Sequence, residues 1–512
     1  MRGLLVLLFL LSISHVHAEE GFAHLQSGPL PVGWKVVQQY DTTRAYRGQF
    51  DAVTGQPVKG ERARPMQMLV WYPAQKSANR STYADYVRTQ ATDEDFSVTG
   101  KAANGFVDTQ LKAASATIGA NAAHAAFGQR MWAERDAAPR SGKYPVVLYA
   151  AGVGGVAHEA ADIAEYLASR GYVVIASRSL GTRAALMNAD AEGLESQAGD
   201  IEYLLSYATT LPQADMAHVA AIGWSWGGLA NVFAAVRDNR IGALVSFDGT
   251  REPEHTRRIP PEQLTVPWLY VQRHPQTVSQ LSRAGIETSF SLLNEARYAD
   301  VYQLTMYPMQ HVDFSSALLR FQRPAAFTEY ARSEVVEAYG WTVRYVLAFL
   351  DAHMKNDAQA VAFLGQAPVR NGVPAHMARI ERTPAEKGPV PSREGLAAAL
   401  NQQGFAHAEE IYGAMHKARP TFSLSERDIN SWGYDLLAAD ADRSKALAIF
   451  KLGISLYPES ANLHDSLGEA FEVARDVPQA LASYRRSLSL NPANTHASTR
   501  ITALTASTSA TH

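Results

Sequence analysis

The chain reads as an α/β protein, a mostly parallel doubly wound sheet followed by a smaller all-α module. Three observations carry this reading. Short continuous apolar runs such as 145–150 (PVVLYA) and 172–177 (YVVIAS) have the composition of strands buried on both faces. Helical stretches separate them, and strand–helix alternation implies parallel pairing through crossover helices. Beyond about Arg370 the composition shifts and a helical repeat begins.

The 512 residues allow roughly three domains. Apolar residues make up 46% and charged residues 19%, enough to bury a core, and the net charge of −3 gives no footprint for nucleic acid. The start resembles an export signal: Met1-Arg2, an apolar run over 3–13, then Val16-His17-Ala18 before Glu19. That run is too short to span a bilayer, which takes about 20 residues. We therefore expect a signal peptide at 1–18 and a periplasmic or secreted mature chain without an integral membrane segment. The chain has no cysteine, which excludes a disulfide scaffold, a thiol nucleophile and a lipidated N-terminal cysteine.

Strands are expected at 36–40 and 66–71, joined by a turn-rich segment. Residues 74–139 are Ala-rich and polar; they read as a helical insertion able to cover a pocket, with no parallel-sheet pattern. After the strand at 145–150 come a Gly-rich turn and a helix at 159–170, closed by Gly171. The strand 172–177, helix 197–209, strand 219–222, helix 229–237 and strands 243–247, 268–272 and 302–306 follow in order. The sheet-bearing α/β domain is expected over 19–375 and a linker over 376–391, which contains the Pro- and Gly-bearing stretch PAEKGPVP. Over 392–512 the trio Ala408, Tyr412, Pro420 recurs as Ala446, Phe450, Pro458 and as Ala480, Tyr484, Pro492. The last two copies lie 34 residues apart, and Leu467-Gly468 and Phe471 supply earlier positions of the same unit. The pattern resembles tetratricopeptide repeats, which implies a surface for a protein partner.

The chemistry centres on Gly223-Trp224-Ser225-Trp226-Gly227-Gly228, a G-x-S-x-G between an expected strand and an expected helix. A turn this sharp needs small flanking residues and presents the serine Oγ at a helix N-terminus, where positive partial charge favours an oxyanion. A serine hydroxyl needs a base. In the α/β-hydrolase fold that this motif marks, chain order runs serine, acid, histidine. His311 follows the last expected strand. His274 and His255 also lie downstream of Ser225, whereas His158 and His218 precede it. The end of the strand at 268–272 (Gln272-Arg273-His274-Pro275) offers no carboxylate, while Asp248 closes the strand before it. Asp313 is too near His311 in sequence for good geometry, and Asp200 reads as a helix-start residue. The oxyanion donors are expected to be the N–H of Trp226 and one from the turn Ala151-Gly152-Val153-Gly154-Gly155, with Gly152 and Val153 as candidates. That turn lacks the pattern of a nucleotide-binding loop, and no metal-ligand motif such as H-E-x-x-H occurs. Trp226 is also a candidate wall of the acyl pocket.

On Leu69-Val70-Trp71-Tyr72-Pro73, the strand and turn 145–155, 223–228, 245–248 and His311-Val312-Asp313-Phe314, the segment from about Trp34 to Phe349 resembles the platelet-activating-factor acetylhydrolase and dienelactone-hydrolase branch of the α/β hydrolases. The resemblance implies a cofactor-free enzyme that hydrolyses esters, often short acyl chains on lipids, through an acyl-enzyme. In the acetylhydrolase relatives the acid follows the strand after the nucleophile helix, which maps onto Asp248. Two departures stand out. Ala151-Gly152 replaces the usual His-Gly, and Trp224 replaces the usual histidine before the serine. Backbone donors survive both changes, but the small-molecule substrate does not carry over.

Overall fold

The computed structural model describes residues 21–50, 53–249, 253–273, 292–386, 391–439 and 443–509. The expected signal segment 1–18 lies outside them, as does His274. The chain divides between Glu386 and Lys387 into two compact units.

The first unit is built on one eleven-stranded sheet. Its strands are β1 (Val32–Ala45), β2 (Ala63–Pro73), β3 (Arg80–Thr82), β4 (Arg130–Arg135), β5 (Tyr144–Ala150), β6 (Val173–Ser177), β7 (Ala214–Trp224), β8 (Ile241–Phe247), β9 (Trp268–Arg273), β10 (Val301–Met306) and β11 (Ala378–Thr383). The order across the sheet is β11-β10-β9-β8-β7-β5-β6-β2-β1-β4-β3. From β6 to β10 every pairing is parallel. β2 joins β6 antiparallel, and β11 closes the other edge antiparallel to β10.

The period of two along each strand divides the core between the two faces. Val147 and Tyr149 of β5 join one cluster, with helices Ala161–Ala168 and Arg332–Met354 packed on it. Val146, Leu148 and Ala150 join the other, beneath helices Ala191–Ala208 and Trp226–Arg237. Strands covered on both faces must be apolar at every position, which is why β5, β6 and β8 were legible as continuous runs.

Two expectations need correction. The insertion 74–139 does hold helices, at Tyr83–Thr89, Gly100–Ile118 and Ala120–Gly128, but both its ends are strands. β4 runs parallel to β1, with Val32 opposite Ala133, and β3 pairs with β4. Ala378–Thr383, expected to belong to a linker, is the edge strand β11, with Met306 opposite Ala378. Its sequence ARIERT is largely exposed and so lacks the apolar run that marks a central strand.

Buried polar contacts fasten the insertion to the body. Glu165 accepts from the N–H of Trp132 at 2.6 Å and from the hydroxyl of Tyr86 at 2.6 Å. Arg320, 4% exposed, donates to both oxygens of Asp162 at 2.8 Å and to Gln129. Asp200, expected at a helix start, lies inside helix Ala191–Ala208, where Arg64 and Arg44 neutralise it.

The second unit is all-α. Helices Arg393–Gln403, Ala408–Ala418, Glu426–Ala439, Ser444–Leu456, Ala461–Val473, Val477–Leu490 and Thr495–Ser509 enclose one apolar cluster. The recurring small and aromatic positions form its centre: Ala446, Phe450, Ala480 and Tyr484 are all fully buried. A Cβ at Gly468 would lie 2.7 Å from the ring of Tyr484, so the glycine lets adjacent helices interlock. Pro420, Pro458 and Pro492 each follow a helix end, where a missing N–H costs nothing.

Because Asp162 is buried, Arg320→Ala strands an unpaired carboxylate. We expect it to destabilise the sheet-bearing unit by about 3–5 kcal/mol, seen as a lower urea midpoint by tryptophan fluorescence.

Candidate active site

β7 ends at Trp224 and helix Trp226–Arg237 begins two residues later, so Ser225 alone makes the turn. Its backbone lies at φ 54 and ψ −123, a conformation that costs an L-residue about 1–3 kcal/mol. The flanking glycines are required by contact. A Cβ on Gly227 would sit 2.1 Å from the carbonyl oxygen of Ala150, and one on Gly223 would sit 2.4 Å from the backbone of Gly227. The Ser225 N–H donates to the Phe247 carbonyl at 2.8 Å, which ties the turn to the end of β8.

Asp248 follows β8 at once, also at positive φ (48°), with its N–H bonded to Val271 of β9 at 2.7 Å. His311 opens a short 3-10 turn after β10. The three side chains meet at the C-terminal edge of the sheet. His311 Nε2 lies 2.8 Å from Ser225 Oγ, and its Nδ1 lies 2.8 Å from Asp248 Oδ2. The carboxylate is fully buried and the imidazole about one-third exposed (side-chain exposures 0% and 32%), so one end of the relay is dry and the other faces solvent.

Trp224 and Arg273 add contacts that sequence reasoning did not anticipate. Trp224 Nε1–H donates to the His311 carbonyl at 2.8 Å, and its ring lies 5.4 Å from the imidazole, centroid to centroid. A Cβ on Gly152 would meet that same ring at 2.6 Å. The residue that departs from the family pattern thus spans from the Gly-rich turn to the histidine loop. Arg273 closes β9, where the sequence offered no carboxylate. Its Nε donates to Asp248 Oδ2, its backbone N–H to Oδ1 at 3.3 Å, and its Nη2 stands 2.9 Å from His311 Nδ1. The last pair joins two donors when the imidazole carries its proton on Nδ1. Only that tautomer lets Nδ1 donate to Asp248 while Nε2 accepts from the serine. The sequence signal for Arg273 was the missing acid itself.

Of the candidate donors, the Trp226 N–H opens a helix and has no intrahelical partner. In the turn 151–155, the Gly155 N–H closes on the Gly152 carbonyl at 2.8 Å. Glu159 lies beneath this turn, 3% exposed, taking the Tyr149 hydroxyl at 3.1 Å, with the backbone N–H groups of Gly152 and Val156 near enough to favour its charged form. Gly152 is buried, while Val153 is 39% exposed. Burial, opposed by these bonds, pushes the Glu159 carboxyl up to about 8. The Trp226 ring is buried against His255, with centroids 5.2 Å apart.

The other candidates stand apart from Ser225. His158 is buried and held neutral, its value pushed down to about 4 by desolvation. His218 pairs with Asp215 at 2.7 Å. Asp313 accepts from the Gln310 N–H at 2.6 Å as a turn cap, and burial raises it to about 6. Among the described residues no three His, Asp or Glu side chains are grouped to hold a metal ion.

A parallel-centred sheet with a strained serine between β7 and its helix, an acid after β8 and a histidine after β10 defines an α/β hydrolase. Family comparisons agree. The dienelactone hydrolase family model matches residues 133–291, and that of platelet-activating factor acetylhydrolase, isoform II, matches residues 35–188. The fold is that of the α/β hydrolases, and residues 35–291 are similar to the branch these two families represent. A solved ferulic acid esterase from Streptomyces cinnamoneus is similar at a TM-score of 0.44 and 19% identity, over 64% of this chain and 91% of that one. No curated protein matches the chain significantly.

The Glu159 carboxyl has an ordinary value of 4.5 when exposed and about 8 when folded. Between those two values the unfolded chain releases a proton that the folded chain keeps, so this group's contribution to stability falls as pH rises through the window. Glu159→Gln removes the titration. Its urea midpoint is expected to drop less than the wild-type midpoint between about pH 5 and about pH 8. Equal drops would show that the carboxyl is not held protonated.

Proposed function

We propose that this chain is an exported serine hydrolase that cleaves carboxylic esters through an acyl-enzyme, with Ser225 as nucleophile, His311 as base and Asp248 as the orienting acid. One observation carries the reading: a single imidazole stands 2.8 Å from Ser225 Oγ on one side and 2.8 Å from a buried carboxylate on the other.

The chemistry follows from that geometry. Ser225 Oγ forms a bond to the ester carbonyl carbon as its proton passes to His311 Nε2. Asp248 stabilises the imidazolium, and the carbonyl oxygen, now negative, is held by the N–H groups of Trp226 and Val153. Val153 is preferred to Gly152 because it is exposed where Gly152 is buried against the Trp224 ring. The carbon–alkoxy bond breaks, and His311 returns its proton to the departing alcohol. Water then repeats the sequence and releases the acid. The ester bond is the substrate class in keeping with both matched families, a dienelactone hydrolase and an acetylhydrolase.

The N-terminal segment 1–18 supports export, and the mature chain is proposed to begin at Glu19 in the periplasm or outside the cell. The C-terminal unit is proposed to be a tetratricopeptide-like module that binds a protein partner. The repeat of buried Ala446/Phe450 and Ala480/Tyr484 supports this.

A fluorophosphonate probe is expected to label the wild-type protein and to leave Ser225→Ala unlabelled. Ser225→Ala and His311→Ala should each lower kcat on a simple acetate ester by about 10⁴- to 10⁶-fold. Labelling that persists in Ser225→Ala removes the assignment.

A further inference from the structure

The insertion and the histidine loop line an open cavity of about 500 Å³ that the mechanism above does not use. Tyr83 and Phe127 come from the insertion, and Val312, Leu318 and Phe321 come from the chain just after His311. Three of the rings form a continuous wall: Tyr83–Phe321 centroids are 5.9 Å apart, Phe127–Phe321 5.5 Å and Tyr83–Phe127 6.5 Å. Among the described residues no carboxylate lines the cavity. His158, which does, is kept neutral by burial.

We infer that this cavity receives the apolar alcohol portion of the ester, so that the enzyme selects esters of medium-chain or aryl-alkyl alcohols. The inference rests on the proposed triad and adds a direction to it. The leaving oxygen takes its proton from His311 Nε2, so the alcohol departs on the histidine side of the reacting carbon. Val312 follows His311 directly, is 38% exposed, and lines the cavity. The same loop supplies the wall as far as Arg323. A group leaving past His311 therefore meets apolar side chains rather than open water. Burying the alcohol there favours it by roughly fourfold per methylene.

The test compares methyl, octyl and 2-phenylethyl acetates, which share an acyl group and differ in the alcohol. The expected result is a kcat/KM at least tenfold higher for the two larger alcohols. Ala113, an exposed residue of helix Gly100–Ile118 on the cavity lining, is changed to Trp to fill the space. Ala113→Trp should cut turnover of octyl acetate at least tenfold more than turnover of methyl acetate, and Leu318→Trp, from the opposite wall, should do the same. A turnover-independent arm uses 2-(2-naphthyl)ethanol itself. Its fluorescence should report saturable binding to wild type and to Ser225→Ala, weakened at least tenfold in Ala113→Trp. Absence of binding, equal binding to Ala113→Trp, or equal loss on methyl and octyl esters overturns the inference. A catalytically silent protein that binds the alcohol and loses it in Ala113→Trp would retain the pocket while refuting the triad.

Discussion

The start of helix Trp226–Arg237 presses against the end of β5 so closely that Gly227 cannot carry a side chain: its Cβ would lie 2.1 Å from the Ala150 carbonyl oxygen. That contact leaves Ser225 no ordinary backbone conformation, and the strain is borne by the sheet on either side. The Ser225 N–H is anchored on Phe247 and the Asp248 N–H on Val271, so three adjacent parallel strands hold the two residues in register. A parallel sheet buried on both faces is stiff enough to do this. The histidine, by contrast, arrives on a loop and is positioned from its own carbonyl by Trp224.

The polar interior follows a second logic. Glu159, Glu165 and Asp162 all project from the segment 157–168, and all are nearly inaccessible. Each is assigned to a different neighbour: the Gly-rich turn, β4 of the insertion, and Arg320 beyond the histidine loop. Buried carboxylates are costly unless satisfied, so this one stretch ties the Gly-rich turn, β4 and the short helix ending at Arg320 to one another.

The legibility of the sequence tracks these two mechanisms. Central strands such as β5 and β6 are apolar because both faces are covered, and they could be read directly. The order of serine, acid and histidine along the chain singled out Ser225, Asp248 and His311, which stand in mutual hydrogen-bond reach. Edge strands were not legible. β11 (ARIERT) mixes charge with apolar residues because it is largely exposed, and β4 (RMWAER), between β1 and the edge strand β3, has only Met131–Ala133 buried between charged ends. Arg273 escaped because its meaning depends on a contact 25 positions away, with Asp248. Asp200 was misread for the same reason, since its partners Arg44 and Arg64 lie on distant β-structure.

The ion pair of Arg273 with Asp248 also sets the electrical character of the rim around Ser225. A lone buried carboxylate would give the serine–histidine–aspartate trio one net negative charge. With the guanidinium beside it, the four groups sum to zero while the imidazole is neutral. An anionic group brought close to Ser225 then meets no net charge from these four side chains.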